Sequence, residues 1–299
     1  MVDFRSKADR VTDGVNVALL AVILAVTVYP LYFVVIASIS EPTLVSAGHV
    51  YLWPRGLNVE GYSYIFRTRH ILTGYRNSIL YAVGQTAVSL VLTIPAAYAL
   101  SRKDLRVRGL IMFYFVFTLY FTGGIIPFYV VVRRLGLNNS AWALILPNAV
   151  NVFNLIVART FFASNVPDEL LESAQIDGCT NTRFFASVAL PLAQAIVAII
   201  VLFNVVQNWN AFFHALLFIN DSDKYPLQLV LRRLLILNEL LSGGEGLESY
   251  TPQEIQRRQI LADLLRYGII VVAIAPLLIL YPFIQRHFVK GIMVGSIKG

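Results

Sequence analysis

The chain has 299 residues, of which 57% are hydrophobic and 14% charged, and its mean hydropathy is +0.68. A soluble domain is usually nearer half apolar and a quarter charged, so this composition and its long apolar runs predict a polytopic membrane protein. The net charge of +7 is then ascribed to loops near anionic lipid headgroups, and no basic, aromatic-interleaved patch indicates nucleic-acid binding. The single cysteine, Cys179, excludes an internal disulfide, and the four scattered histidines predict no metal site.

Apolar runs long enough to cross a bilayer recur along the chain. A spanning helix needs about 20 largely apolar residues. The predicted fold is therefore all-α, a single transmembrane domain of residues 1–299 with six spans, at about 15–39, 78–100, 107–122, 141–162, 192–213 and 267–288. The first run is too long for a signal-peptide core and lacks a small-residue cleavage site, so it is expected to remain as an anchor.

Glycine and proline residues interrupt the predicted third span at its end. Gly123, Gly124 and Pro127 are expected to break the helix, and residues 125–134 are predicted to form a short interfacial helix. Pro30 lies inside the first span, where a membrane environment tolerates a kink.

The orientation of the spans follows from the distribution of lysine and arginine. An even number of spans places both termini on one side, but the two sides carry equal numbers of these cations. The short loop containing Arg102, Lys103, Arg106 and Arg108 breaks the tie, because the positive-inside rule weighs short, dense loops most heavily. We therefore predict cytoplasmic termini and a cytoplasmic segment 163–191 between the fourth and fifth spans.

The segment 163–191 has an unusual pattern for a loop between spans. Pro167 and the acidic residues after it suit the first turn of a helix. Gly178 is expected to stop or bend that helix, and Thr180 or Asn181 can cap a second short helix that leads into the membrane. The segment is either a docking element for a cytoplasmic partner or an interfacial helix pair that covers the inner face of the bundle.

The spacing within this segment resembles the signature loop of permease subunits of ATP-driven (ABC) importers. Glu172-x-Ala174-x-x-Asp177-Gly178 is followed, after nine residues, by an aliphatic-x-Leu-Pro sequence, here Val188-Ala189-Leu190-Pro191. The likeness covers nearly the whole chain and includes the segments 123–127, 135–139, 209–212, 225–228, 281–291 and 296–299.

Within that family, the chain is most similar to the branch that imports oligosaccharides and polysaccharide fragments, including uronic-acid polymers such as alginate. Its C-terminal tail resembles that of the maltose-type second permease. Three positions depart from the family pattern: Ser173 replaces the usual Ala, Val188 a frequent Ile, and Ala215 an expected Pro. The last departure leaves the local bend after Trp209 open.

The resemblance implies a set of partners in a bacterial inner membrane. They are two ATPase subunits, a second, homologous permease and an extracytoplasmic solute-binding protein that delivers a carbohydrate. The chain has no Gly-x-x-x-x-Gly-Lys-Ser/Thr loop, so we expect a non-catalytic subunit that binds no cofactor, with ATP and Mg used by the partner ATPase.

The resemblance also assigns roles to particular residues. By position, Glu172, Ala174, Asp177 and Gly178 belong to the coupling helix, which sits in a cleft of the ATPase. The tail, through residues that include Lys290, Gly291 and Lys298, is expected to contact the ATPase dimer; the alternative is a disordered end.

Polar side chains within the predicted spans are candidates for a sugar pathway. Amides both donate to and accept from sugar hydroxyls, and aromatic rings stack on sugar rings. The candidates are Asn148, Asn151 and Asn154 in the fourth span, Asn204, Gln207, Asn208, Trp209 and Asn210 in the fifth, and Tyr114 in the third. For each residue the alternative is a hydrogen bond between helices that only stabilises packing.

The long extracytoplasmic loop, 220–266, has two interpretations. Residues 227–241 are amphipathic and 252–266 resemble a second helix, which fits either a platform for the binding protein or a helix resting on lipid headgroups.

Two other function classes were weighed against an importer permease. An ATP-independent secondary transporter or channel would favour charged residues well inside the spans for ion coupling, and none is found there. A membrane-embedded enzyme would need a cluster of titratable residues near one interface, which the sparse histidines do not provide. The sequence does not identify the saccharide.

Overall fold

The computed structural model describes residues 7–242, 251 and 265–279, and these residues form helices and connecting turns with no strand. The α-helices are α1 (Lys7–Ser38), α2 (Pro42–Ser46), α3 (Glu60–Arg67), α4 (Arg69–Ser101), α5 (Arg108–Tyr120), α6 (Ile125–Arg134), α7 (Trp142–Ile145), α8 (Val152–Asn165), α9 (Asp168–Ile176), α10 (Asn181–Phe184), α11 (Leu190–Leu192), α12 (Gln194–Asn210), α13 (Phe213–Phe218), α14 (Leu227–Ser242) and α15 (Leu265–Ile279). A π-helical turn, Phe185–Ala189, joins α10 to α11, and a 3-10 turn, Ser222–Lys224, precedes α14.

Several helices have the length and composition needed to cross a bilayer. Within the described residues these are α1, over Val11–Ser38, and α4. Two bent pairs each count as a further candidate: α5 with α6, which meet at 116°, and Asn181–Leu192 with α12, which meet at 75°. The protein is therefore an all-α, multi-span membrane protein.

The helices lie over most of the predicted spans, with one clear difference. α1, α4, α5 and α12 overlap the first, second, third and fifth spans, and α15 covers the start of the sixth, whose remainder lies outside the described residues. The bend predicted at the two glycines is present, with Gly124 at φ +80°.

The prediction of one continuous helix over 141–162 is wrong. The chain forms α7, leaves helical geometry at Pro147, and starts α8 at Val152. Proline has no N–H to donate, so the helical hydrogen-bond pattern cannot continue through Pro147. Asn151 then starts the new helix, because its side chain accepts a 3.1 Å hydrogen bond from the backbone N–H of Asn154.

The described residues group into two compact units, one within Met1–Thr68 and Arg233–Ile274 and the other within Arg69–Arg232 and Ala275–Gly299. In the first unit, α1 and α3 pack on α15. Phe33 meets Tyr267 edge-on with ring centroids 6.0 Å apart, and Gly268 allows the fully buried Ile65 to approach the helix backbone. The buried residues of this unit are mainly aliphatic, among them Ile36, Ile65 and Ile269.

The second unit is built on α4, which packs along both α8 and α12. Its apolar core includes Leu155, Phe162 and Phe184, all at most 1% exposed. Tyr98 of α4 meets Phe162 edge-on at 5.6 Å and Phe185 at 5.1 Å between centroids. This aromatic cluster connects α4, α8 and the π-helical turn.

Asn139 holds the segment that follows α13. Its side-chain oxygen accepts from the backbone N–H groups of Asn220 (3.2 Å) and Asp221 (3.1 Å), and its carbonyl accepts from Lys224 Nζ at 3.0 Å. Asn139 has φ +55°, a conformation that asparagine adopts more readily than most residues. The start of the 220–266 loop is therefore fixed to the α6–α7 connection.

Candidate functional site

The docking loop, residues 168–184, folds as a helix, a glycine turn and a capped second helix. At the end of α9, the N–H groups of Gly178 and Cys179 donate to the carbonyls of Gln175 (3.0 Å) and Ala174 (2.9 Å). Gly178 has φ +76°, which closes the helix in the left-handed conformation that favours glycine. Thr180 caps α10 by accepting a 3.3 Å hydrogen bond from the N–H of Arg183.

One face of the docking loop is exposed and carries the four residues assigned by resemblance to ATPase coupling. Glu172, Asp177 and Gly178 are exposed, and Ala174 is half-buried beneath them. Ile176, at the tip, has 87% of its surface exposed, although an isoleucine is usually buried. An apolar side chain next to acidic groups on a protruding turn suits insertion into a cleft on another protein.

The opposite face of the docking loop is part of the bundle core. Leu171 of α9 is 2% exposed, Phe184 of α10 is fully buried, and both belong to the same apolar cluster as Phe162 of α8. This face of the docking loop is therefore packed in one core with α4, α8 and α12.

An ion-pair network joins the start of α9 to the loop between α4 and α5. The Asp168 carboxylate lies 2.9 Å from Lys103 Nζ and 3.0 Å from an Arg102 nitrogen. The hydrogen bond from Lys103, together with the positive charges of Lys103, Arg102 and Arg108, holds the pKa of Asp168 below its ordinary value, against a smaller opposing effect of desolvation. The cation-rich loop between α4 and α5 and the acidic start of α9 therefore form one surface.

A cavity of about 290 Å³, the amide pocket, lies beside the middle of α4, the start of α8 and the last turn of α12. It is lined by Gln85 of α4, Pro147, Asn148, Val150 and Asn151 of the α7–α8 connection, Gln207 and Asn208 of α12, and Ala211 and His214 beyond it. From Gln85 to the end of α4 is a rise of about 24 Å at 1.5 Å per residue. The cavity is close to the lower limit for small-molecule sites, which span about 300–1,000 Å³.

The amides of the pocket are held by one another. Asn208 Nδ2 donates to Gln85 Oε1 at 2.6 Å, and Gln85 Nε2 donates to the Asn148 carbonyl at 2.6 Å. The Asn148 side-chain amide lies 3.0 Å from His214 Nδ1. Each amide has two donor hydrogens and an oxygen with two lone pairs, so these bonds orient the groups and leave capacity for a bound solute.

A buried polar layer lies one helical turn below the amide pocket. Ser89 follows Gln85 by four residues, Asn204 precedes Asn208 by four, and Asn154 follows Asn151 by three. Ser89 and Asn204 are fully buried and Asn154 is 3% exposed. Among the described residues, the Ser89 hydroxyl, the Asn154 Nδ2 and both side-chain polar atoms of Asn204 have no hydrogen-bond partner.

The structure brings together only some of the predicted pathway residues. Asn148, Asn151 and Gln207 line the pocket, and Asn154 and Asn204 lie in the layer below it. The others lie elsewhere: Trp209 is buried against Tyr75 with centroids 5.9 Å apart, Asn210 is exposed and donates to the Val206 carbonyl, and Tyr114 is 67% exposed on α5. A pathway role for these three stays a prediction.

Sequence reasoning passed over two residues of the pocket, Gln85 and His214. Gln85 is the only strongly polar side chain in an apolar stretch of α4, and that contrast could have marked it. His214 has no ligand-like spacing in sequence, and only the fold places it beside Asn148. Metal-ligating side chains do not gather in groups of three or more in the part of the chain that the structure describes. The predicted tail contacts, Lys290, Gly291 and Lys298, lie outside the described residues.

An all-helical, multi-span bundle with an internal polar pocket and an exposed docking loop defines a membrane permease. Residues 70–294 match the family model described as "Binding-protein-dependent transport system inner membrane component". The match covers most of the chain, which therefore belongs to this family. Its members are non-catalytic transport subunits, and the protein is an inner-membrane, multi-pass member.

Individual relatives agree with that placement. The chain is 40% identical to Protein LplC of Bacillus subtilis (strain 168), over 98% of this chain and 97% of that protein. It is also 40% identical to the polygalacturonan/rhamnogalacturonan transport system permease protein YtcP of the same organism, over 97% and 99%. A crystal structure of a bacterial ABC transporter involved in the import of the acidic polysaccharide alginate contains a chain with TM-score 0.83 and 29% identity, covering 96% of this chain and 100% of that one.

Proposed function

We propose that this permease imports oligosaccharide or polysaccharide fragments as one subunit of an ABC transporter, driven by partner ATPases that engage the docking loop. The observation that carries the proposal is the position of the two sites. The exposed docking loop and the amide pocket are both built on the packed helices α4, α8 and α12, and about 24 Å of α4 separates them.

The chemistry of the amide pocket supports a carbohydrate substrate. The side chains that line it are amides, a histidine and apolar groups, with no carboxylate, lysine or arginine among them. Such a lining recognises hydroxyl groups by hydrogen bonding. Relatives named for arabinooligosaccharide and polygalacturonan/rhamnogalacturonan transport, and the alginate-importing neighbour, point to the same substrate class.

The docking loop supports coupling to an ATPase through a rigid lever. Glu172, Asp177 and Gly178 form the contact surface with Ile176 at the tip, and Ala174 lets the partner approach closely. Leu171 and Phe184 are buried in the core of the bundle. When the partner displaces the docking loop, the helices packed against these residues therefore move with it.

The buried polar layer supports alternating access. An unsatisfied buried polar group costs about 1–3 kcal/mol, so Asn204 and Asn154 destabilise the conformation seen here. A second conformation in which the layer opens to water or solute would satisfy those atoms. The layer therefore acts as the closed section of a pathway that begins at the amide pocket and continues toward the docking loop.

The remaining parts of the assembly follow from the same proposal. Two ATPases bind and hydrolyse ATP with Mg, a second permease completes the pathway, and an extracytoplasmic binding protein delivers the solute. Both termini and the docking loop lie in the cytoplasm, and the amide pocket opens toward the other face. The tail residues Lys290, Gly291 and Lys298 contact the ATPase dimer.

Co-purification from native membranes tests this function. We expect the tagged chain, extracted in a mild detergent, to bring down an ATPase and a second permease, with ATP hydrolysis stimulated by a sugar-loaded binding protein. Fragments of galacturonan, rhamnogalacturonan and alginate, and arabinooligosaccharides, form the first substrate panel. A chain that purifies alone and without ATPase activity would overturn the proposal and leave the docking loop a structural element.

A further inference from the structure

A second and larger cavity lies beside the docking loop, away from the residues of the amide pocket. Its volume is about 450 Å³. We call it the basic pocket; it is lined by Tyr98, Ser101, Arg102, Lys103, Arg108, Arg159, Phe162, Ala163, Ser164, Val166, Pro167, Asp168 and Glu169. It is bounded by the end of α4, the α4–α5 loop, the last two turns of α8 and the start of α9.

Positive charge exceeds negative charge in this cavity. Four cationic side chains line it against two carboxylates, Asp168 and Glu169. Asp168 is shared by Arg102 and Lys103, at 3.0 and 2.9 Å, and Arg102 also lies 3.4 Å from Asp104. Arg102 and Lys103 are therefore paired with carboxylates, and the excess positive charge resides on Arg108 and Arg159.

Arg108 and Arg159 carry that excess. Both are half-buried, and neither lies within 4 Å of a carboxylate oxygen in the part of the chain that the structure describes, although the charge of Arg108 also acts on Asp168. Arg108 donates from Nη1 to the Arg102 carbonyl at 3.0 Å, and Arg159 donates from Nε to the Leu100 carbonyl at 3.3 Å. A guanidinium has five N–H donors, so each side chain is fixed in direction while several donors are unused.

The surroundings of Arg159 favour a membrane lipid as the source of the missing anion. Arg159 lies six residues before the end of α8, in the apolar sequence Val152–Asn165. That offset places its Cα about 9 Å inside the helix end, within the reach of an arginine that extends toward the headgroup layer. A cationic side chain at this depth, in a cavity at the ends of two spanning helices, suits the phosphate of a membrane lipid.

We propose that the basic pocket binds the phosphate group of an anionic phospholipid, with Arg108 and Arg159 as its ligands. Arginine binds phosphate oxygens through paired N–H groups, and basic pockets between spanning helices bind lipid headgroups. The bound lipid would lie against the start of α9 and stabilise the docking loop's position on the bundle. The site is separate from the solute pathway; only its assignment to the inner leaflet rests on the proposed function.

Lipid retention by the purified transporter tests the site. The complex is delipidated in detergent, incubated with phosphatidylglycerol or with zwitterionic phosphatidylcholine, and examined by native mass spectrometry. We expect phosphatidylglycerol to be retained and Arg159→Gln to lower that retention about tenfold, because a charge-assisted bidentate contact is lost. Arg159→Lys should restore part of it.

A matched control separates the pocket from general surface charge. Arg106→Gln removes a cation from the same loop at an exposed position outside the cavity, so it should leave retention unchanged. Thermal unfolding of each variant shows that the bundle is intact. Arg108→Gln provides a second variant at the site if Arg159→Gln does not fold.

Three results would overturn the lipid site. Equal retention of the two lipids, or equal loss with Arg106→Gln, would show that the pocket has no selectivity. Binding of glycerol 3-phosphate with the same dependence on Arg159, without lipid retention, would reassign the pocket to a soluble phosphate. Retention by the isolated chain that disappears in the assembled transporter would show that an acidic group of the partner ATPase fills it. None of these results bears on whether the chain imports sugar.

Discussion

Asn208 Nδ2 donates a 2.6 Å hydrogen bond to Gln85 Oε1, and this contact joins α12 to α4 at the rim of the amide pocket. The two residues are 123 positions apart in sequence. The same Asn208 nitrogen lies 2.8 Å from the Asn204 carbonyl, so the pocket wall is continuous with the buried layer beneath it. Changes to this pair should therefore affect solute binding and helix packing together.

Leucine substitutions at the pair test its role in solute binding. Gln85→Leu and Asn208→Leu should each raise the solute concentration for half-maximal uptake about tenfold, since each removes hydrogen-bonding groups from the pocket. The double variant should lose less binding free energy than the two single variants lose together, with a coupling energy of about 0.5–3 kcal/mol. Uptake kinetics in reconstituted vesicles measure this, and strictly additive effects would contradict a shared site.

Replacement of a buried layer residue should separate stability from transport. Asn204→Leu removes two unsatisfied polar atoms from a fully buried position, so the unfolding free energy should rise by about 1–3 kcal/mol while uptake slows. Asn210→Leu, at an exposed position on the same helix, should change stability by less than about 0.5 kcal/mol. A destabilised but fully active Asn204→Leu protein would exclude the proposed gating role.

Substitutions of two apolar residues of α9, one exposed and one buried, should affect different properties. Ile176→Ser at the exposed tip should leave thermal stability unchanged and reduce recovery of the ATPase with the chain, because only the partner buries that side chain. Leu171→Ala should lower the unfolding free energy by about 2–5 kcal/mol, because it opens a cavity in the core. If Ile176→Ser retained normal ATPase recovery and uptake, the tip would not be part of the contact.

Gly178 offers a test of close approach by the partner. Nothing in the described chain lies within 4 Å of a Cβ placed there, so substitution meets backbone strain at φ +76° but no clash. Asparagine tolerates this conformation, and Gly178→Asn should fold while losing ATPase binding; Gly178→Val adds about 1–2 kcal/mol of strain. Gly136, at φ +70° and equally open, provides the control. Gly136→Asn should leave ATPase binding intact, and equal losses at both positions would point to a folding defect.

The Asp168 network predicts a pH dependence at the acid end. The pKa of Asp168 is held below its ordinary value of 3.8, so near that pH the folded state binds fewer protons than the unfolded state. The stabilisation is fully present above about pH 3.8 and is lost as the pH falls through the lower pKa of the folded state. Asp168→Asn should remove this dependence. Unfolding temperatures of the solubilised chain between pH 2 and 6 measure it, with Asp104→Asn as the comparison.

The sequence alone predicted the class of fold and the docking loop, because both depend on local properties. Apolar runs report burial in lipid whatever their neighbours are. The turn at Gly178 and the cap at Thr180 are likewise decided by a few adjacent residues, and the structure confirms both. The resemblance to the permease family rested on this segment together with others spread over nearly the whole chain.

Only the tertiary structure decided which polar residues share a site. Asn148, Asn151 and Asn154 share a helical face by spacing, but Pro147 breaks the helix and leaves the three in different settings: on the pocket wall, at a helix cap and in a buried layer. Gln85 and His214 join the pocket, and Arg108 and Arg159 meet in a second cavity, through contacts between distant segments. Such contacts depend on how whole helices pack, a property that no local pattern of residues carries.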